Sequence, residues 1–60
     1  MVQGLPSDAV MLLSVINTKL RDIYSNLDAL CEDMDVSRKD LEDKLNMIDY
    51  QYDEELNQFV

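Results

Sequence analysis

The chain contains no histidine or tryptophan, a single cysteine and only five basic residues among its 60 residues. With Cys31 alone, an intramolecular disulfide is excluded. Without histidine, the catalytic arrangements that pair serine or cysteine with an imidazole are excluded, and a structural zinc site lacks its usual ligands. We therefore predict a non-enzymatic chain with no cofactor, metal or catalytic residues, in which Cys31 is a small core residue.

Long apolar runs are also missing. The longest, Ala9–Leu13, has five residues, far fewer than the roughly 18 that are needed to span a bilayer. Its flank lacks the basic residues that open a signal peptide. We expect a cytoplasmic protein with no membrane contact. Because the chain starts with methionine and has the length of one small domain, we also expect a complete small protein.

Acidic residues outnumber basic ones by thirteen to five, which gives a net charge of -8. A field of this sign repels nucleic acids and anionic membranes and favours solubility or a basic partner. Hydrophobic residues make up 47% of the chain, which is enough for a core, so disorder is not expected. Nucleic acid is therefore disfavoured as a partner before any motif is considered.

Apolar residues repeat at helical spacing over Ala9–Asp22, which predicts a first helix with Asp8 as its N-cap. Met11 and Val15 lie off the main stripe and, with Leu12, exceed what a three-helix core covers. They are consistent either with an exposed interaction surface or with burial under the N-terminal residues and the C-terminal segment. The stripe expected to face inward consists of Ala9, Leu12, Leu13, Ile16, Leu20 and Ile23.

A second helix of about eight residues is predicted from Ser25, which has capping-box spacing to Asp28. Asp35 falls in the following turn, where glycine is usual, and aspartate tolerates the left-handed region better than most residues. Ser37 is the predicted N-cap of a third helix that ends near Met47. Apolar faces are expected on both helices, formed by Leu27, Leu30, Cys31, Met34, Leu41, Leu45 and Ile48.

After the third helix the pattern changes to a period of two, which predicts a β-hairpin. Tyr50 and Tyr52 are expected on one face, turned towards the helices. A turn over residues 53–57 would place Asn57 at a positive φ, before a return strand at residues 58–60. The predicted fold is mainly α: a lead-in at residues 1–7, a three-helix, helix-turn-helix-like unit at 8–48, and a hairpin at 49–60, as in a miniature winged helix.

Helices 2 and 3 resemble a helix-turn-helix unit, so DNA binding is the alternative function. Its contacts would come from Arg38, Lys39 and Lys44. Three acidic residues lie on the same helix, and the hairpin turn carries three more, which would oppose phosphate groups. The motif is therefore also consistent with a packing arrangement that leaves a charged helix in solvent.

A calcium loop is suggested by Asp33, Asp35 and Ser37, whose spacing matches the start of an EF-hand. The loop also needs glycine at its sixth position and glutamate at its twelfth. Arg38 and Lys44 occupy those positions in this chain. We therefore predict no metal site and interpret these acidic residues as solvent-exposed charge.

The chain resembles a bacterial family of short proteins known only as a domain of unknown function, family 4250. The resemblance implies a complete protein with the family's fold, and it implies no activity and no catalytic residues. The matching stretches are Leu5-Pro6, Met11 to Ser14, Ile16-Asn17, Lys19 to Asp22, Leu27 with Leu30-Cys31, and Tyr50 through Asn57-Gln58-Phe59.

From the sequence we predict a protein–protein interaction module, with an unidentified protein or a second copy as its partner. The candidate interaction surface is Met11, Leu12 and Val15 on the first helix. The alternative is a transcriptional regulator that reads DNA through Arg38, Lys39 and Lys44 of the third helix.

Overall fold

The computed structural model describes residues 7–60 of the chain. Helix α1 spans Ala9–Asp22, the bounds that its apolar spacing predicts. It begins after Asp8, whose carboxylate accepts a hydrogen bond from the Val10 N–H at 2.9 Å, and this confirms the predicted N-cap. Nearly all of the predicted lead-in falls in residues 1–6, outside the described part of the chain.

Helix α2 spans Leu27–Met34, and its N-cap differs from the prediction. Asn26, not Ser25, caps the helix, accepting the Ala29 N–H at 2.7 Å. The backbone N–H of Leu27, in the first turn, has no acceptor within the helix, and it donates to the Tyr52 hydroxyl of the hairpin at 3.2 Å.

The turn between α2 and α3 follows the prediction closely. Asp35 adopts the left-handed conformation, with φ 57°, in the position where glycine is usual. Ser37 then caps helix α3, Arg38–Asn46, by accepting the Asp40 N–H at 3.3 Å. None of the helices within residues 7–60 is long and apolar enough to cross a membrane.

A two-stranded antiparallel hairpin ends the chain, with β1 at Tyr52–Asp53 and β2 at Gln58–Phe59. Tyr52 lies opposite Phe59. Gln51 and Val60 extend the ladder through two backbone hydrogen bonds of 3.0 and 2.8 Å. Asn57 has φ 53°, as its place in the predicted turn requires. The hairpin is confirmed, but its strands differ from the prediction, because Asp53, which was expected in the turn, pairs with Gln58.

All three helices and the hairpin contribute to one core. The only aromatic ring buried within it is that of Phe59, among the residues described, and the Tyr52 ring packs beside it with 5.6 Å between ring centroids. The fold class is therefore the predicted one, three helices with a C-terminal hairpin. The buried side chains are Leu12, Ile16, Leu20, Leu27, Leu30, Cys31, Leu41, Leu45 and Phe59.

Two residues predicted to face inward do not. Ile23 is 64% exposed, because α1 ends at Asp22 and the Ile23 backbone leaves the helix with φ -123°. Tyr50 is also exposed. Its N–H donates to the Leu45 carbonyl at 3.1 Å, so Tyr50 lies in the connection between α3 and the hairpin, and the strand begins only at Tyr52.

Candidate interaction surface

A groove of about 460 Å³ runs along α1 beside the hairpin. Tyr50 and Gln58 form its hairpin wall. The other wall is one face of α1, whose residues recur at intervals of three and four positions. That face consists of Val10, Leu13, Ser14, Asn17, Thr18 and Arg21.

The two walls are held together by Asn17. Its side-chain Nδ2 donates to the Phe59 carbonyl at 3.1 Å, and its Oδ1 accepts the Phe59 N–H at 2.8 Å. Tyr52 and Phe59 are a non-hydrogen-bonded pair of the antiparallel ladder, because the neighbouring pair, Gln51 and Val60, exchanges the backbone hydrogen bonds. The N–H and carbonyl of Phe59 therefore point away from Tyr52. The Asn17 amide therefore binds the outer edge of β2 as an adjacent strand would.

The groove has an apolar rim drawn from two separate elements. Val10 at the start of α1 is 63% exposed and Tyr50 is 36% exposed, while Leu13 between them is half-buried against the core. Two more exposed apolar residues are near Tyr50. Met47 lies three residues earlier in the chain, and Val60 forms backbone hydrogen bonds with Gln51, the residue after Tyr50. Exposed apolar residues also lie away from the groove, at Ile23 after α1 and at Leu56 in the hairpin turn.

The groove also differs from the rest of the chain in charge. Among the described residues that line it, none is acidic and Arg21 is the one cation. Arg21 forms a bidentate pair with Asp22, with N···O distances of 2.9 and 3.0 Å. That hydrogen-bonded contact raises the pKa of Arg21 and lowers the pKa of Asp22. In a chain of net charge -8, this surface is close to neutral.

A comparison with protein families matches residues 6–59 to the family described as Domain of unknown function (DUF4250). The chain belongs to this family. Neither the curated proteins nor the solved structures produced a match. Membership in DUF4250 confirms the resemblance seen in the sequence, and the family description names no activity that could be assigned to the groove.

The surface that the sequence predicts for this DUF4250 member is only partly exposed. Met11 is 59% exposed and Val15 is half-buried, and neither lines the groove. Leu12 is wrong as a surface residue: it is 3% exposed. Leu12 lies one turn before Ile16, so both side chains point into the core from the same face of α1.

Arg38, the first candidate DNA contact, lies between α2, α3 and the hairpin. Its guanidinium bonds Asp28 at 2.9 Å and Glu42 at 3.3 Å, and it stacks over the Tyr52 ring at 5.4 Å from the centroid. The hydrogen bond to Asp28 is the main reason why the pKa of Arg38 is raised. Arg38 lines a small pocket of about 270 Å³ together with acidic Asp28 and Glu54.

The other two cations of α3 do not reinforce Arg38. Lys39 pairs with Asp43 one turn later at 2.9 Å, and that hydrogen bond raises the pKa of Lys39. Lys44 is half-buried in the last turn of the helix. Two of the three candidate DNA contacts of this family member are thus already occupied by carboxylates.

The surroundings of Cys31 and of the nearby acidic residues are as follows in the described part of the chain. Cys31 is 6% exposed, and burial raises the pKa of its thiol, which disfavours the reactive thiolate. Asp33 accepts a hydrogen bond from the Tyr24 hydroxyl. Within residues 7–60, no three His, Cys, Asp or Glu side chains are arranged to hold a metal ion.

None of the residues that line the groove was a functional candidate from the sequence, and Val10, Asn17 and Tyr50 are the most important of them. Asparagine is an unfavourable residue in a helix interior, because its side chain competes for backbone hydrogen bonds. An asparagine in the middle of α1 was therefore a signal that the side chain bonds something outside the helix. Tyr50 carried no such signal, since its exposure depends on where α3 ends.

Proposed function

We propose that this DUF4250 protein is a non-enzymatic protein-interaction module whose binding surface is the groove between α1 and the hairpin. The observation that carries the proposal is the combination of exposed apolar side chains on both walls, Val10 and Tyr50, with an absence of acidic lining residues in the described chain. Apolar patches on small proteins mark association surfaces, and interface centres are depleted in charge.

The groove has a rigid frame, which favours its use as a binding surface. The Asn17–Phe59 hydrogen bonds tie the hairpin to α1. The amide of Asn57 donates to the carbonyls of Leu20 and Tyr24, each at 3.0 Å, at the other end of the hairpin. Preorganised walls reduce the entropy that a partner must overcome on binding.

The alternative, a regulator that reads DNA through α3, has less support. A DNA reader needs base-edge donors and several cations that neutralise phosphates. Arg38 and Lys39 are instead bonded to carboxylates of the same chain, and the hairpin turn carries Glu54 and Glu55. We therefore rank DNA binding below protein binding.

The experiment is affinity capture from the source cell with three baits: wild type, Val10→Glu and Met11→Glu. Val10 and Met11 are neighbours in the first turn of α1 and are similarly exposed, 63% and 59%, yet only Val10 lines the groove. A partner, whether another protein or an untagged copy of the chain, should be retained by wild type and Met11→Glu and lost by Val10→Glu.

Two results would contradict the proposal. Retention of the same partner by all three baits would show that the groove does not bind this partner. Loss of the partner with Met11→Glu alone would show that the interaction surface includes Met11, as the sequence predicts, and not the groove. Both variants place an acidic residue in a first turn that has none, where negative charge stabilises a helix, so neither should fail to fold.

A further inference from the structure

We propose that the partner bound in the groove is a second copy of the same chain, in a two-fold symmetric dimer. This inference rests on the proposed function, because it names the partner of the same surface. Such an interface is isologous: the same patch contributes from both copies, so the patch must be complementary to itself. The groove meets that condition in charge, in chemistry and in position.

Charge is the first argument. With thirteen acidic and five basic residues, most pairings of two copies would bring carboxylates together. Exposed acidic residues lie on α2, at Asp28, Glu32 and Asp33, and in the hairpin turn, at Glu54 and Glu55. The groove itself is lined by no acidic residue of the described chain, although Asp8, Asp22 and Asp49 flank its residues in sequence. Self-association through the groove therefore brings fewer carboxylates together than association through α2 or the hairpin turn would.

Chemistry is the second argument. The apolar residues Val10, Leu13 and Tyr50 can pack against the same residues of the other copy. The exposed amide of Gln58 offers both a donor and an acceptor, so it can pair with its own symmetry mate. A basic or acidic partner would find no opposite charge here except Arg21, which Asp22 already engages.

Size is the third argument. The core of nine buried side chains among the described residues is small, and chains of this length commonly gain stability by oligomerisation. A standard interface takes about 800 Å² from each partner, roughly a fifth of the 4081 Å² accessible surface. The groove alone does not supply that area, although the exposed residues Met47 and Val60 lie near Tyr50 in the chain and through the ladder. We therefore expect a dimer at the weak end of the usual range.

Sedimentation equilibrium over about 10 µM to 1 mM tests the inference directly, with wild type, Val10→Glu and Met11→Glu at equal salt. Wild type and Met11→Glu should approach twice the monomer mass with similar dissociation constants. Val10→Glu should weaken dimerisation at least roughly tenfold, since each copy would place the new carboxylate against the Tyr50 ring and other apolar groove residues of its partner. Tyr50→Gln, which removes an exposed ring without adding charge, should weaken it as well.

Contacts across the axis give a second readout. In a mixture of isotope-labelled and unlabelled wild-type chains, filtered nuclear Overhauser spectra should connect the Val10 methyls of one copy to the Tyr50 ring of the other. Circular dichroism melts establish that each variant is folded. A dimer in which these contacts are missing, or which Val10→Glu leaves intact, overturns the proposed geometry.

A wild-type chain that stays monomeric at 1 mM overturns the dimer inference alone, because the capture experiment with Val10→Glu and Met11→Glu still decides whether the groove binds another protein. A dimer broken only by Met11→Glu would contradict both proposals and favour the Met11 and Val15 strip. The failures of the inference and of the proposed function are therefore distinguishable.

Discussion

The side-chain amide of Asn17 forms two hydrogen bonds with the backbone of Phe59, donating to its carbonyl at 3.1 Å and accepting its N–H at 2.8 Å. One side chain thereby satisfies the outer edge of β2, which would otherwise be open to pairing with another chain. The same contact fixes the distance between α1 and the hairpin, and the groove lies along that junction.

Asn17→Ala should lower the free energy of unfolding by about 1–3 kcal/mol, because the Phe59 N–H and carbonyl lose their partners in a partly buried site. In a domain of this size each kcal/mol corresponds to a melting-temperature change of about 4–8 °C. Thr18→Ala is the matched control, an exposed neighbour on the same helix. If urea unfolding gave equal stabilities for both variants, the Asn17–Phe59 hydrogen bonds would make no net contribution to the stability of the fold.

Asn57 combines a left-handed backbone, φ 53°, with three side-chain hydrogen bonds, including a 2.6 Å contact in which it accepts from the Tyr52 hydroxyl. Asn57→Gly keeps the backbone and loses the bonds, and should cost about 1–3 kcal/mol. Asn57→Ala should cost about 1–2 kcal/mol more, since alanine disfavours positive φ.

Asp49→Gly is the control for the effect of glycine at a left-handed backbone position, because Asp49 is exposed and has φ 67°. We expect this variant to be neutral or slightly more stable than wild type. Chemical denaturation of the three variants checks the order of stabilities. If Asn57→Gly matched wild type, the side-chain bonds of Asn57 would have no net value.

The pH dependence of stability should report the buried thiol. Burial raises the pKa of Cys31 above the ordinary value of about 8.5. Its contribution to stability is therefore fully present below about pH 8.5 and is lost as the pH rises through the folded-state pKa. Cys31→Ala should be less stable than wild type at about pH 7, with a smaller difference at about pH 10. Urea unfolding at each pH measures the difference in stability between wild type and Cys31→Ala. A difference that does not change with pH would contradict burial of the thiol.

Binding to duplex DNA tests the alternative function. Fluorescence anisotropy at about 50 mM salt should detect no saturable binding at protein concentrations up to about 100 µM, whereas DNA-binding proteins bind even non-specific sequence at roughly 10⁻⁴–10⁻⁶ M. The reason is that carboxylates already engage Arg38 and Lys39. Salt-sensitive binding that Lys44→Ala weakens would restore the regulator hypothesis.

Much of the fold was predictable because its determinants are local. Asp8 and Ser37 cap helices with their own side chains, and Asp35 and Asn57 are residue types that tolerate the left-handed conformation. These features depend on two to five neighbouring residues, so a single sequence is sufficient to predict them. The bounds of α1 and the position of the hairpin follow for the same reason.

The groove was not predictable, because it depends on where elements end and what they meet. Ile23 follows the last residue of α1, and Tyr50 lies two residues before β1 begins, so both are outside the elements that their apolar patterns predict and both side chains are exposed. Leu12 and Met11 are adjacent and both apolar, and only the direction from which α3 and the hairpin approach α1 separates core from surface. The partner of Asn17 lies 42 residues away, beyond any local pattern.

The groove as a binding surface is tested most directly by nuclear magnetic resonance of the ¹⁵N-labelled chain, first dilute in buffer, then at about 1 mM, and then in extract of the source cell. Backbone signals of Val10, Leu13, Tyr50 and Gln58 should shift or broaden at the higher concentration if a second copy binds, or in extract if another protein binds, and those of Arg38, Lys39 and Lys44 should stay unchanged. In Val10→Glu the groove signals should no longer respond. A response centred on α3, or one that Val10→Glu leaves intact, would contradict binding through the groove.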